Sequence, residues 1–296
     1  MKKQVVELSP IKHELTKWWG ITDYVDDIGS HLKERELHRF CFFHKSPQAE
    51  YRSKLVVWLK ELGLQKNLDR SCIHLAVYIL DIFMDNYAVP KQQLYLVALV
   101  ALLLAAKYDE RDVKIPKIVE LNSQLKNPYP VSDFHAMEIK IMILFDWYLG
   151  VPTASHFTDY YSMCVILDND CKCIKKMDCE RALWREAVQY IHKFLDIILL
   201  DINLMQAQPS LIASSIICAT RILLKLLPIW PPQLVAITNF NFVDILKTVE
   251  ILFRELNPMI VQYVFTTNNE TEKETHEIDN SEDNYPQAKR LKTEND

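Results

Sequence analysis

Three cysteines close together in the sequence are the densest group of side chains that could bind a metal ion. Cys171, Cys173 and Cys179 lie in a polar stretch, and His156 precedes them at some distance. Cysteine-based zinc sites usually combine two such groups, and this C-x-C-x5-C pattern has no second group to complete it. We therefore favour free loop thiols over a zinc site.

The sequence lacks the short motifs by which several enzyme classes are recognised. It has no glycine-rich phosphate loop, no HExxH and no G-x-S-x-G, and its nine histidines show no ligand spacing. His74 falls within an apolar helical pattern, which indicates a core or boundary histidine rather than a catalytic base. We therefore predict no catalytic residue, no metal and no cofactor, and we expect that the protein is not an enzyme.

Charge is distributed unevenly along the chain. Residues 266–296 hold nine acidic and four basic side chains, so the preceding residues carry 30 of each sign. A neutral body does not favour nucleic-acid binding, which requires clustered lysine and arginine. The polar, acidic end predicts a disordered tail. Within it Lys289, Arg290 and Lys292 form a short basic island that is a candidate nuclear import signal.

A strongly apolar stretch predicts a buried helix. Residues Leu94–Ala106 are thirteen in a row without a charge. A membrane-spanning helix needs about 20 apolar residues, so this stretch is too short to cross a bilayer and must instead be surrounded by other helices. We predict a central helix over 91–107, with Lys107 at its exposed end. The N-terminal residues lack the apolar core of about 7–15 residues found in signal peptides, so we expect an intracellular protein that does not bind membranes.

A second apolar helix of the same kind suggests that the chain contains two copies of one five-helix unit. Pro209 introduces this helix, and Gly150 and Pro152 mark the boundary between the copies because they interrupt helices. Periodicity and capping residues predict further helices near 22–40, 47–62, 69–85, 133–147, 180–200 and 242–256. The predicted all-α organisation is an N-terminal arm and helix over 1–45, five-helix domains over 46–150 and 151–262, and a disordered acidic tail over 263–296.

Several stretches taken together resemble the cyclin family, and most of all the cyclins of the J type. They are YRSKLVVWL (51–59), HLAVYILDIFMD (74–85), QQL (92–94), LLLAAKYDE (102–110), ME (137–138), PT (152–153) and PSLIA (209–213). The resemblance implies two tandem cyclin boxes in a regulatory subunit that binds and activates a cyclin-dependent serine/threonine protein kinase in cell-cycle control. It also implies a heterodimer with that kinase and a location in the nucleus, with a share in the cytoplasm as an alternative.

The resemblance assigns a kinase-binding role to four residues. Lys107 and Glu138 correspond to the family's lysine and glutamate that hydrogen-bond the backbone of a kinase helix. An ammonium group can donate to carbonyls and a carboxylate can accept from N–H groups, so the chemistry is suitable. Tyr108 and Trp147 would lie at the rim of the same surface. The alternative is that Lys107 only solvates a helix end and that Glu138 pairs with a neighbour on its own helix.

Two further sets of residues match the family pattern. Arg52 and Asp81 correspond to a structural ion pair inside the box. A shallow patch by which some cyclins recruit substrates corresponds to Leu55, Trp58, Glu61 and Leu94. Tyr51 and Lys54 depart from the residues usual at that patch, and a lysine within an apolar groove disfavours basic peptides. We therefore do not expect substrate docking there.

A second function remains open beside kinase activation. The paired helical units also resemble the basal transcription factors, so a cyclin-fold transcription adaptor without kinase activation is the alternative. Such an adaptor needs a basic surface for DNA, and the 30-to-30 charge balance over residues 1–265 argues against it.

Overall fold

The structure, a computed structural model, describes residues 24–126, 128–167, 170 and 177–256, and every regular element within these ranges is helical. The predicted all-α fold is confirmed. None of the described helices is long and apolar enough to span a membrane. The predicted tail, the basic island and the cluster of three cysteine side chains lie outside the described residues.

The described α-helices fall into two successive groups, before and after residue 150. The first group is α1 (Val25–Glu36), α2 (Ala49–Gln65), α3 (Arg70–Asn86), α4 (Leu94–Asp109), α5 (Ile118–Asn122) and α6 (Val131–Leu144). The second group is α7 (Ala154–Tyr161), α8 (Met177–Leu200), α9 (Pro209–Leu223), α10 (Pro232–Thr238) and α11 (Phe242–Leu256). We call these groups the first half and the second half.

Helix α4 is the centre of the first half, as its sequence predicts. Every residue from Leu94 to Ala106 is buried except Tyr95, and α4 packs against α2, α3 and α6. The helix begins later than predicted, since Pro90 is extended and a 3-10 turn occupies Lys91–Gln93. Lys107 lies in the last turn and is exposed.

Gly63 does not end α2, contrary to the usual role of glycine at a helix C-terminus. The helix continues to Gln65, and Gly63 is buried where α2 meets α3. A Cβ atom at this position would lie 2.7 Å from Cγ1 of Ile73, which is closer than packed carbon atoms approach. The glycine is therefore required by the close approach of the two helices.

Helix α9 is the corresponding buried helix of the second half. Pro209 occupies its first turn, where the missing N–H has no partner to lose, and α9 packs against α7 and α8. Ser214 and Ser215 are buried in this helix, and their hydroxyl groups donate to backbone carbonyls one turn earlier. These bonds satisfy both hydroxyl groups within α9, and the Ser215 hydroxyl also lies 3.5 Å from the carbonyl oxygen of Ile245 in α11.

Arg221, at the C-terminal end of α9, is fully buried. Its guanidinium donates to the Asp170 carboxylate at 2.7 Å and to the carbonyl oxygens of Val165, Pro228 and Ile229 at 2.7–3.0 Å. One side chain thus fixes the segments that follow α7 and α9. No local pattern in the sequence predicts this role for Arg221.

Helix α1 is the first helix of the first half, and it also binds the second half. Lys33 donates to the carbonyls of Ile237 and Thr238 at the end of α10, at 3.2 and 3.3 Å. Glu36 accepts from the backbone N–H and the hydroxyl of Ser210, both at 2.7 Å, and so caps the start of α9. These contacts place lysine at a helix C-terminus and glutamate at a helix N-terminus, which both helix dipoles favour.

Candidate functional site

The structure brings Lys107 and Glu138 together across two helices. Lys107 lies in the last turn of α4 and Glu138 lies in the middle of α6. The lysine ammonium donates to the glutamate Oε1. The Lys107 side chain is 45% exposed and that of Glu138 is 20% exposed. Both groups therefore keep hydrogen-bonding capacity that faces outward, beyond the bond between them.

A shallow pocket of about 390 Å³ opens around this ion pair. Its walls are mostly apolar, and its polar side chains are those of Lys107, Glu138, His135 and Tyr108. The lining residues are Leu104, Lys107, Tyr108, His135, Glu138, Ile139, Met142, Trp147 and Leu149. We call this surface the α4–α6 face. It contains all four residues to which the resemblance assigns a kinase-binding role.

Helix α6 presents exposed side chains at four-residue intervals. Val131, His135, Ile139 and Ile143 follow one another along one side of the helix, because residues four apart lie above each other. The two isoleucines are 52% and 60% exposed, which is unusual for such apolar side chains that neighbour one another. An unpartnered apolar stripe of this kind indicates a protein-binding surface. The two isoleucines were not among the predicted site residues, although their four-residue spacing could have identified them.

Trp147 reaches the α4–α6 face from a turn, whereas the sequence predicts that it lies in the last turn of α6. The helix ends at Leu144, and both Asp146 and Trp147 have left-handed backbones, with φ of 48° and 59°. The N–H of Trp147 donates to the carbonyl of Met142 at 2.8 Å, and that of Asp146 to Ile143 at 3.2 Å. This bonding pattern closes the helix end and leaves the indole 65% exposed.

Arg35 of α1 hydrogen-bonds two tyrosines, one of which lines the α4–α6 face. Its Nη2 donates to the hydroxyl of Tyr108, and its Nε donates to the hydroxyl of Tyr148 at 3.2 Å. Tyr108 is 45% exposed and lines the pocket. Arg35 was not among the predicted site residues, because its partners lie far away in the chain.

Arg52 and Asp81 form a buried ion pair away from the α4–α6 face. Arg52 Nε and Nη2 donate to the two carboxylate oxygens of Asp81, each at 2.8 Å, and both side chains are at most 4% exposed. Arg52 also donates to the carbonyls of Leu199 and Leu200 at 3.1 and 2.9 Å. Because these carbonyls end α8, the pair connects the two halves.

The residues of the proposed docking patch do not share one surface. Leu55 and Leu94 are buried, at 2% and 3% exposure, so neither can contact a peptide in this conformation. Trp58 is partly buried and packs edge-on against Tyr95, with ring centroids 4.9 Å apart, while Glu61 is exposed. The expectation that substrates do not dock at this patch stays a prediction.

Two of the histidines, His156 and His74, lie in structural surroundings. The Thr153 N–H donates to His156 Nδ1 at 3.1 Å, and His156 Nε2 lies 3.3 Å from an Asp109 oxygen, so His156 caps α7. His74 is buried, and burial together with the charges of His156 and Arg70 lowers its pKa to about 3. Its Nε2 has no hydrogen-bond partner within the described ranges. Those ranges contain no cluster of three or more metal-ligating side chains.

Two family models match almost the whole described chain. The model "Cyclin, N-terminal domain" matches residues 27–150, and "Cyclin, C-terminal domain" matches residues 152–284. The chain belongs to the cyclin family. The prediction of two tandem cyclin domains is therefore confirmed.

Curated relatives support the predicted similarity to J-type cyclins. This cyclin is 32% identical to Cyclin-J of Xenopus laevis over 238 residues, which are 79% of this chain and 62% of the relative. It is 31% identical to Cyclin-J of Homo sapiens over 242 residues, which are 80% of this chain and 62% of the relative. The chain thus spans about 62% of the length of these relatives. The resemblance to J-type cyclins is confirmed.

A solved structure shows the same fold. The X-ray structure of a viral cyclin from herpesvirus saimiri matches this cyclin with a TM-score of 0.58 at 21% identity. The match covers 80% of this chain and 99% of the viral one. Cyclins are a regulatory and generally non-catalytic family.

Proposed function

We propose that this cyclin is the regulatory subunit of a cyclin-dependent serine/threonine protein kinase, and that it binds and activates the kinase through the α4–α6 face in cell-cycle control. The observation that carries this proposal is the apolar pocket around the Lys107–Glu138 pair. A partner that covers the pocket gains from burial of Ile139 and Trp147 and finds a donor and an acceptor already in place. The apolar area and the paired donor and acceptor both favour a protein partner over a small ligand.

The geometry suits a helix from the partner. An amphipathic helix can place apolar side chains against the stripe on α6. The spare N–H groups of Lys107 can then donate to carbonyls at the end of that helix, and Glu138 can accept from its N–H groups. The bond between the two side chains holds both in position before the partner arrives, which reduces the entropy lost on binding.

Activation follows from preferential binding. In protein kinases a helix of the small lobe must be positioned so that its glutamate pairs with the lysine that holds the ATP phosphates. A cyclin that binds only the inward position of this helix shifts the kinase population toward the active state, by an amount set by its differential affinity. The cyclin supplies surface and hydrogen bonds, and the kinase supplies the catalytic groups.

The test compares wild type with a variant that carries Lys107→Ala and Glu138→Ala. Loss of both groups should weaken kinase capture by at least about 30-fold, since truncation of charged pairs at interface centres costs about 2 kcal/mol or more. Capture of kinases from nuclear extract, identified by mass spectrometry, and phosphate transfer to histone provide the readouts.

The matched control removes a Lys–Glu pair elsewhere on the surface. Lys66 and Glu120 lie 4.0 Å apart outside the α4–α6 face, and both are partly exposed. Alanine at these two positions should leave capture and phosphate transfer unchanged. Equal capture by wild type and by the Lys107/Glu138 variant would refute the assignment of the face.

We further propose that the protein acts in the nucleus. The support for this proposal is the basic island at Lys289, Arg290 and Lys292, which is typical of import signals.

A further inference from the structure

We propose that Arg35 is a positioning residue, which holds Tyr108 in the wall of the α4–α6 face and thereby raises the affinity for the kinase. This inference rests on the proposed function. Arg35 does not line the pocket around the ion pair, whereas Tyr108 does, so we assign the effect of Arg35 to the position of this tyrosine.

The guanidinium of Arg35 lies between two tyrosines. Its Cζ is 5.8 Å from the ring centroid of Tyr108 and 5.9 Å from that of Tyr148, and it donates a hydrogen bond to each hydroxyl. The hydrogen bonds to the two hydroxyl groups hold the guanidinium between the tyrosines. Two rings and two hydroxyl groups therefore restrain one arginine, and the arginine in turn restrains Tyr108.

Gly150 shows that this position is closely packed. A Cβ atom on Gly150 would lie 2.0 Å from Arg35 Nη2 and 3.0 Å from the hydroxyl of Tyr108. The glycine backbone is not left-handed, so its conformation does not demand glycine. The missing side chain makes room for the guanidinium.

Helix α1 is itself fixed from the opposite side. Lys33 and Glu36 bind the ends of α10 and α9, and Arg39 donates to the carbonyls of Met205 and Ala207 at 3.1 and 2.8 Å. Arg35 therefore extends from a helix that is held at several points in the second half. The second half contributes in this way to the position of a side chain on the α4–α6 face.

A tyrosine that is almost half exposed would otherwise sample several rotamers. Restraint of such a side chain before binding removes an entropic cost that is commonly equivalent to about 3- to 10-fold in affinity. Arg35→Met should therefore weaken kinase binding by about 3- to 10-fold. Gly150→Ala should weaken kinase binding by a similar factor, because the added methyl group displaces the guanidinium. This variant retains the charge of Arg35.

The experiment measures the dissociation constant of the kinase complex for the full chain. Glu34→Met, an exposed neighbour on α1, is the control and should bind like wild type. Tyr108→Phe combined with Arg35→Met should bind no more weakly than the weaker single variant, because both changes break one interaction. A fluorinated tyrosine at position 108 reports its order directly by fluorine NMR.

The outcomes separate the two proposals. If Arg35→Met and Gly150→Ala broaden or shift the fluorine signal and weaken binding, the inference holds. If they bind the kinase as tightly as wild type, the inference is overturned while the proposed function stands. If wild type binds no kinase, the proposed function fails and the role assigned to Arg35 fails with it, whatever the fluorine signal shows about the position of Tyr108.

Discussion

The buried pair of Arg52 and Asp81 allows a quantitative test of what holds this cyclin together. Asp81→Asn keeps the shape of the side chain and removes the charge that compensates Arg52. Loss of one partner from a buried ion pair costs about 3–5 kcal/mol. Two bonds from Arg52 to the carbonyls of Leu199 and Leu200 remain, so we expect the lower end, about 3 kcal/mol. For a folded unit of about 150–250 residues, a loss of this size lowers Tm by about 6–12 °C.

The assay is urea unfolding followed by circular dichroism, with calorimetry for Tm. Glu61→Gln is the matched control, because it neutralises an exposed carboxylate on α2 and should change the free energy of unfolding by less than about 0.5 kcal/mol. Replacement of both partners, Arg52→Met with Asp81→Leu, should cost less than the sum of the single changes. A cost below about 1 kcal/mol for Asp81→Asn would refute the view that this carboxylate compensates a buried charge.

Two further predictions concern acid stability and location. Burial lowers the pKa of His74 from about 6.5 in the unfolded chain to about 3 in the folded state, so the unfolded state binds the proton first and stability falls as the pH drops below 6.5. Between pH 7 and 5 this loss should reach about 2 kcal/mol, and urea titrations of His74→Gln should show a shallower pH dependence. Alanine at Lys289, Arg290 and Lys292 should reduce nuclear accumulation of a fluorescent fusion; unchanged accumulation would exclude the basic island as an import signal.

The central parts of the fold could be predicted because they depend on local sequence. Helix α4 can be buried on every side because the stretch from Leu94 to Ala106 has no charge. Pro209 determines where α9 begins. Helix ends were less predictable. Gly63 resembles a helix terminator, but its surroundings are decided by Ile73 on another helix, which no local pattern reveals.

Some residues of the candidate site could likewise be predicted from the sequence, and others could not. Lys107 and Glu138 could be proposed from motif positions, and the structure brings them into contact. Arg35 could not be proposed, because its partners Tyr108 and Tyr148 are 73 and 113 residues away and only the folded chain joins them. Long-range hydrogen bonds of this kind leave no periodic pattern in the sequence.

Buried and exposed charged side chains have different roles in this cyclin. Arg52 and Arg221 are each enclosed with a carboxylate and backbone carbonyls, so every guanidinium nitrogen has an acceptor and neither side chain is available to a partner. Lys107 and Glu138 neutralise each other at the surface and keep donors and acceptors that face outward. Desolvation of the exposed pair is completed only when a partner covers the pocket. The exposed pair can therefore favour one partner geometry over another, whereas the buried pairs fix the scaffold that presents it.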